Sequence, residues 1–308
     1  MTEQLEADSP WKQALEAYFT QFMAFFFPEA HGQIDWQREW VFLDKELEQI
    51  VRDAELGRRF VDKLVQVWSL DGQENWLLLH LEIQGQWDKN FPKRMFTYHY
   101  RIGDRYDRPV ASFAILTDEN PNWQPNSYEY AYLGTSQRFQ FSTIKLLDYL
   151  PQLLELEQNP NPFAVVVLAH LQALATRRAP QSRLQWKLRL VKGLYQRGFK
   201  RQDILELFRI IDWLLALPEG LEEQFKVELV AFEEERRMPY ITSVERLGIK
   251  QGIEQGIQIG TDDALRNVAL NMLREGADIA FIAKTTGLSI EQIQELQTEN
   301  GLELGGNA

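Results

Sequence analysis

Cysteine is absent from the 308 residues, which removes disulfides, thiolate nucleophiles and cysteine-based zinc sites together. Histidine is scarce: His31, His80, His99 and His170 are the only four, and they show neither HExxH nor another metal-ligand spacing. Any metal is left to oxygen ligands or a lone imidazole. No stretch reaches the roughly 18 uninterrupted apolar residues of a membrane span. The opening MTEQLEADSPWK lacks the basic and apolar segments of a signal peptide. The expectation is a soluble cytoplasmic protein with no membrane partner. Positive charge is also in short supply, with a formal net charge of −12, which argues against a surface that is basic throughout, the usual footprint of a nucleic-acid binder.

The charge is nevertheless uneven. Between Arg177 and Arg209 lie Arg177, Arg178, Arg183, Lys187, Arg189, Lys192, Arg197, Lys200, Arg201 and Arg209 against only Asp203 and Glu206. This is a basic strip in an acidic chain. It reads either as a solvated helix face or as a strip that touches phosphates.

Apolar periodicity divides the chain. WKQALEAYFTQFMAFFF and DWQREWVFLDKELEQIVRDAELGRRF carry helical patterns. VDKLVQVWSL and NWLLLHLEIQ read as strands around DGQE, whose Asp71-Gly72 pair is a strong hairpin signal. A helix is expected over NFPKRMFTYHYRIGDRY, and further strands at 110–117, 128–135 and 138–144. Residues 145–240 read as helices punctuated by Pro151, Pro160, Pro162, Pro180 and Pro218. The fold class is therefore α/β (α+β): a mixed sheet flanked by helices, followed by an all-helical C-terminal half. Three regions are expected: 1–160 with the sheet, 161–245 helical with the basic strip, and 246–308 as a tail.

The run WLLLHL ends in Glu82 and, two residues later, Gln84. Side chains alternate along a strand, so these two share a face. Opposed residues of an antiparallel hairpin also share a face. A three-residue loop sets Asp62 across from Glu82, a five-residue loop sets it across from Gln84, and an even loop sends it to the other face. With an odd loop, two carboxylates converge in a poorly hydrated place, which raises a pKa or demands a cation. Mg²⁺ needs only one or two protein carboxylates and suits that demand.

Asp on one strand, a hairpin, and Glu-x-Gln on the next resemble the core of the PD-(D/E)xK nuclease superfamily. From FLDKELEQI through VDKLVQV, LLHLEIQGQ and FPKRMFTYHYRI, the chain is similar to the Rpn family of recombination-promoting nucleases, also called PD-(D/E)xK family transposases. The similarity covers about residues 40–117, and GLSIEQIQEL extends it to the tail. The resemblance implies a restriction-endonuclease-like core and a metal-dependent DNA endonuclease associated with recombination or mobile elements. Its metal, Mg²⁺ or Mn²⁺, would be held by Asp62, Glu82 and the main-chain carbonyl of Ile83, and its catalytic residues would be Asp62, Glu82 and Gln84. Gln84 stands where the superfamily more often has lysine. An amide orients by hydrogen bonds and cannot supply an ammonium's charge, so a catalytically silent member that binds DNA or protein is the alternative.

Arg94 and Tyr98, four apart, share a helix face. They could clamp and orient a phosphate, or be a salt-bridge partner of the carboxylates and a core aromatic. Asp44 and Glu46 read either as further acidic residues beside the metal or as polar residues of an amphipathic helix. In the tail, Gly248, Gly252, Gly256 and Gly260 recur every four residues, which suggests self-association into a homo-oligomer or a linker. Beyond it, ADIAFIAKTTGLSIEQIQELQ reads as a helix-turn-helix, with Gly287 at the turn and a Ser289–Gln292 capping box. Its second helix carries Glu291 and Glu295 and no basic residue, so base reading is not expected of it.

Overall fold

A computed structural model describes residues 10–44, 47, 61–70, 76–238, 240–241, 268–273 and 277–299. The chain forms two compact units, Met1–Tyr240 and Ile241–Ala308. The first therefore runs through position 160, where a boundary was expected.

The first unit opens with three short helices, α1 (Pro10–Ala17), α2 (Phe19–Phe26) and α3 (Pro28–His31), and then places β1 (Val41–Phe42) inside a stretch whose sequence reads as helix. The hairpin strands β2 (Val61–Trp68) and β3 (Trp76–Gln84) follow, then α4 (Phe91–Tyr106) and β4 (Val110–Leu116). The last strands are β5 (Ser127–Tyr132), β6 (Thr135–Gln140) and β7 (Ser142–Lys145). β1, β2, β3, β4 and β7 make a five-stranded mixed sheet in that order, while β5 and β6 form a separate ribbon. β1 to β3 pair antiparallel, and β3–β4 and β4–β7 pair parallel. Helix α4 is thus the crossover that parallel neighbours require.

β3 is central, and its near-continuous apolar run is what burial on both faces demands. On one face Leu64 and Leu78 pack with Tyr98 and Ile102 of α4, and Ala114 and Leu116 pack with Phe91 and Met95. On the other face Phe113 meets Phe27, just after α2. There the buried Lys63 ammonium is held by Glu16 of α1 and by Asp44.

The expected strands at 128–135 and 138–144 are divided differently. Leu133 and Gly134, both at positive φ, make a two-residue turn of the kind whose twist suits a hairpin, and the chain changes sheets at Phe141. After a 3₁₀ stretch (Leu146–Gln152), helices α5 (Leu153–Gln158), α6 (Pro162–Ala175), α7 (Pro180–Gln196), α8 (Arg201–Leu214) and α9 (Glu219–Arg236) complete the unit. Pro162 and Pro180 sit in the first turns of their helices, where a missing N–H costs nothing. α6 is apolar nearly all round and buried, as such a helix must be.

In the second unit, α10 (Ile279–Thr286) and α11 (Ile290–Glu299) join a helical stretch at 268–273 around Ala269, Ile282, Ile293 and Leu296. Gly287 adopts the left-handed conformation after α10. The Ser289 and Gln292 side chains cap each other's backbone N–H groups, as the sequence predicts. The glycine repeat at 248–260 lies outside the described residues. No helix among the described residues is long and apolar enough to cross a membrane.

Candidate functional site

The β2–β3 register pairs Asp62 with Glu82 and Val61 with Ile83. This is the odd-loop alignment, and it puts both carboxylate-bearing positions on the face covered by α4. The Asp62 side chain lies outside what the structure describes. The partners of Glu82 and Gln84 on β4 are Ala114 and Leu116. Both residues therefore sit at the carboxyl ends of parallel strands, where open α/β sheets bind ligands.

Glu82 and Gln84 are fully buried. Arg94, one turn into α4, reaches across to them. Its Nη2 donates to Glu82 Oε1 at 2.5 Å and to Gln84 Oε1 at 2.8 Å, and Nε donates to Glu82 Oε1 at 3.1 Å. Nη1 donates to Asp88 Oδ2 at 2.5 Å. The Gln84 amide donates in turn to the Gln86 carbonyl. Glu82 Oε2 is buried with no hydrogen-bond partner among the described residues. Burial pushes the Glu82 carboxyl above its ordinary range, opposed by the charge and hydrogen bonds of Arg94. A buried carboxylate with one oxygen unsatisfied is a costly arrangement, and that oxygen, the one a hard cation would have to reach, is closed to solvent.

His80, two residues before Glu82 and on the same face, is buried, and neither ring nitrogen has a hydrogen-bond partner among the described residues. Its ring stands edge-on to Tyr98 at 5.2 Å. Desolvation, with smaller contributions from His99 and Arg94, lowers its pKa to about 3, so the imidazole is neutral. Spacing in the sequence excluded it as half of a histidine motif. Its place on the strand face was nonetheless readable from its even number beside Glu82.

Tyr98, read as either a substrate contact or a core aromatic, takes the core place: it is 1% exposed and packs with Leu47, Leu64, Leu78 and Ile102. Arg94 meets the salt-bridge expectation and remains 11% exposed at its side chain. Asp44 is committed to Lys63, on the face opposite the Glu82 row, which removes it from the site. Glu46 lies outside the described residues. Ile83 turns its side chain to the far face, leaving only its main chain near the carboxylates. Among the described residues no three His, Asp or Glu side chains gather into a metal-binding group.

Part of the basic strip is tied into the packing. Lys187 is buried on α7, with Nζ 2.7 Å from Asp212 of α8 and 3.0 Å from Glu222 of α9, so it ties three helices together. Arg183 donates to the Ala173 carbonyl at the end of α6 at 2.9 Å, satisfying one of the last carbonyls of a helix. Arg177, Arg189, Lys192 and Arg209 pair with Glu119, Glu157, Glu228 and Glu206, and Arg197 donates to the Asn159 carbonyl. Lys187 and Arg183 thus hold helices together, while Arg177, Arg178, Arg189, Lys200, Arg201 and Arg209 remain exposed, so the strip is in part a solvated face, as expected, and in part packing.

Comparison with known proteins gives no family model, no curated protein and no solved structure that matches the chain.

Proposed function

We propose that this protein is a metal-dependent DNA endonuclease that hydrolyses phosphodiester bonds in the cytoplasm, in the service of recombination or mobile elements. The observation that carries the reading is the pairing of Asp62 with Glu82 across a β-hairpin, with one Glu82 oxygen lacking a hydrogen-bond partner among the described residues. Mg²⁺ or Mn²⁺ would be held by Asp62, Glu82 Oε2 and the Ile83 carbonyl. Bound there, the ion supplies an acidified water and neutralises phosphoryl oxygens. The chain's own residues divide the remaining work. Arg94 holds Glu82 by its other oxygen and fixes the direction of Oε2. Gln84, locked between Arg94 and Gln86, orients without adding charge. The resemblance to the Rpn family and its restriction-endonuclease-like core supports the same reading.

A second reading has one observation in its favour. The Arg94 guanidinium already places a cation against Glu82 and Gln84, as a catalytically silent family member would require. Such a chain would act by binding DNA or protein.

The test is nicking of supercoiled plasmid with Mg²⁺, Mn²⁺ or Ca²⁺ by the wild-type protein and by Asp62→Ala and Glu82→Ala. The expected result is cleavage with Mg²⁺ or Mn²⁺ that both substitutions abolish. Undiminished cleavage by both folded variants sinks the site, and wild-type DNA binding without cleavage favours the silent reading.

A further inference from the structure

The basic strip, with Lys187 and Arg183 engaged in helix packing, is not the only face of the first unit that bears cations. Arg94 faces the carboxylates, but the next residues round α4 point outward. Along this outer side Tyr100 stacks on Phe96 with ring centroids 6.4 Å apart and planes at 22°. Phe96 stacks on Tyr128 of β5 at 5.3 Å and 26°, both half-buried against the core, and Tyr130 follows at 6.0 Å, tilted by 53°. Alternation puts Tyr128, Tyr130 and Tyr132 on one face of the β5–β6 ribbon. The register adds Phe139, Gln137 and Thr135 opposite them, so that face carries no charge. Glu129 and Arg138 pair with each other on the reverse face.

The row ends in rings open to solvent: Tyr100 is 56% exposed and Tyr132 75%. Trp87, 59% exposed, lies in the segment between Gln84 and α4. Lys93, exposed and three residues before Phe96 and seven before Tyr100, shares their side of α4, and it has no ion pair with a described residue. Aromatic rings beside such a cation are the elements of single-strand recognition: rings stack on bases and cations follow the phosphates. A duplex stacks its bases on one another and offers no such face.

We infer that the outer side of α4 and the tyrosine face of the β5–β6 ribbon form a stacking platform for unpaired DNA. The platform runs from Tyr100 to Tyr132 and leads a single strand to the Glu82 end of β3. This rests on the DNA reading above, which it refines to a substrate with unpaired bases.

The test measures fluorescence anisotropy of a labelled oligo-dT of about 15 nucleotides, a length within the range one such groove occupies. It is run in EDTA, beside a duplex and an oligo-U of equal length. Tighter binding of oligo-dT than of duplex is expected. The double substitution Tyr130→Ala and Tyr132→Ala, both at exposed positions, should weaken oligo-dT binding by about tenfold or more, with circular dichroism unchanged. Lys93→Ala should flatten the salt dependence by about 0.7 in log–log slope. Duplex bound as tightly as oligo-dT, or unchanged oligo-dT binding by the tyrosine variant, or tighter binding of oligo-U, overturns the platform. Metal plays no part in this measurement. Nicking that depends on Asp62 but shows no single-strand preference therefore sinks the platform alone. Single-strand binding without any nicking sinks the nuclease reading alone.

Discussion

Arg94 grips Glu82 by Oε1, and Oε2 has no hydrogen-bond partner among the described residues. One guanidinium joins the last residues of β3 to the first turn of α4, through Glu82, Gln84 and Asp88. The arrangement is structural and chemical at once, because the group that offsets the cost of burying Glu82 also decides which of its oxygens is occupied.

Removing that guanidinium strands a buried carboxylate. Arg94→Ala should therefore destabilise the first unit by about 3–5 kcal/mol, the usual cost of leaving one member of a buried ion pair alone. Arg94→Ala combined with Glu82→Leu should recover much of the loss. Urea unfolding of the two variants and the wild type measures both effects. A single variant within 1 kcal/mol of wild type contradicts the role given to Arg94.

His80 makes stability depend on pH. Its folded pKa, about 3, lies below the unfolded value near 6.5. The unfolded chain thus binds the extra proton between those limits, and stability falls as pH falls through the window. The slope from this one group approaches about 1.4 kcal/mol per pH unit. His99 and His170, also lowered by burial, act in the same direction. Glu82, whose carboxyl is raised, acts oppositely, losing stability as pH rises from its unfolded value toward the folded one. The difference between wild type and His80→Leu isolates His80. Unfolding curves at pH 7, 6, 5 and 4 should show a shallower acid loss in the variant, and parallel losses would refute the assignment.

Leu133 occupies left-handed backbone at φ 47° and is 88% exposed, so it bears the strain of the turn without burial to offset it. Leu133→Asn gives the Asn-Gly pair that this turn favours. A gain of about 1 kcal/mol is expected, at the lower end of what an ordinary side chain costs in that conformation. Thermal unfolding of the variant measures it, and a lowered midpoint would show that the Leu133 side chain has a role the exposed turn conceals.

Much of the sheet was legible because β2 and β3 are long, apolar and joined through Asp71-Gly72. Loop parity narrowed the register to Asp62 across from Glu82 or Gln84 or on the opposite face, and the structure selects Glu82. β1 was not legible: Val41 and Phe42 are only two residues, set in a run whose periodicity is helical, and they become a strand only because β2 offers an open edge. The β5–β6 turn was missed for a related reason, since Leu133-Gly134 is a weaker signal than Asn-Gly. Arg94 could be assigned a carboxylate partner from its helix position, but Tyr98 could be placed on the same face without revealing that the face is closed. The basic strip shows the limit most clearly. Sequence counts charges, whereas the partners of Lys187 and Arg183 come from α6, α8 and α9 and from the loop after α8, distant in the chain.

The central place of β3 has a kinetic consequence. Its backbone is laced antiparallel to β2 and parallel to β4, so exposing its amides to solvent exchange requires both ladders to break, an event close to global unfolding. Arg94 stands between Phe91 and Met95, both in the core, so the helix wall that carries it is tied down beside the sheet, and the Glu82 carboxylate and its guanidinium open together with the core.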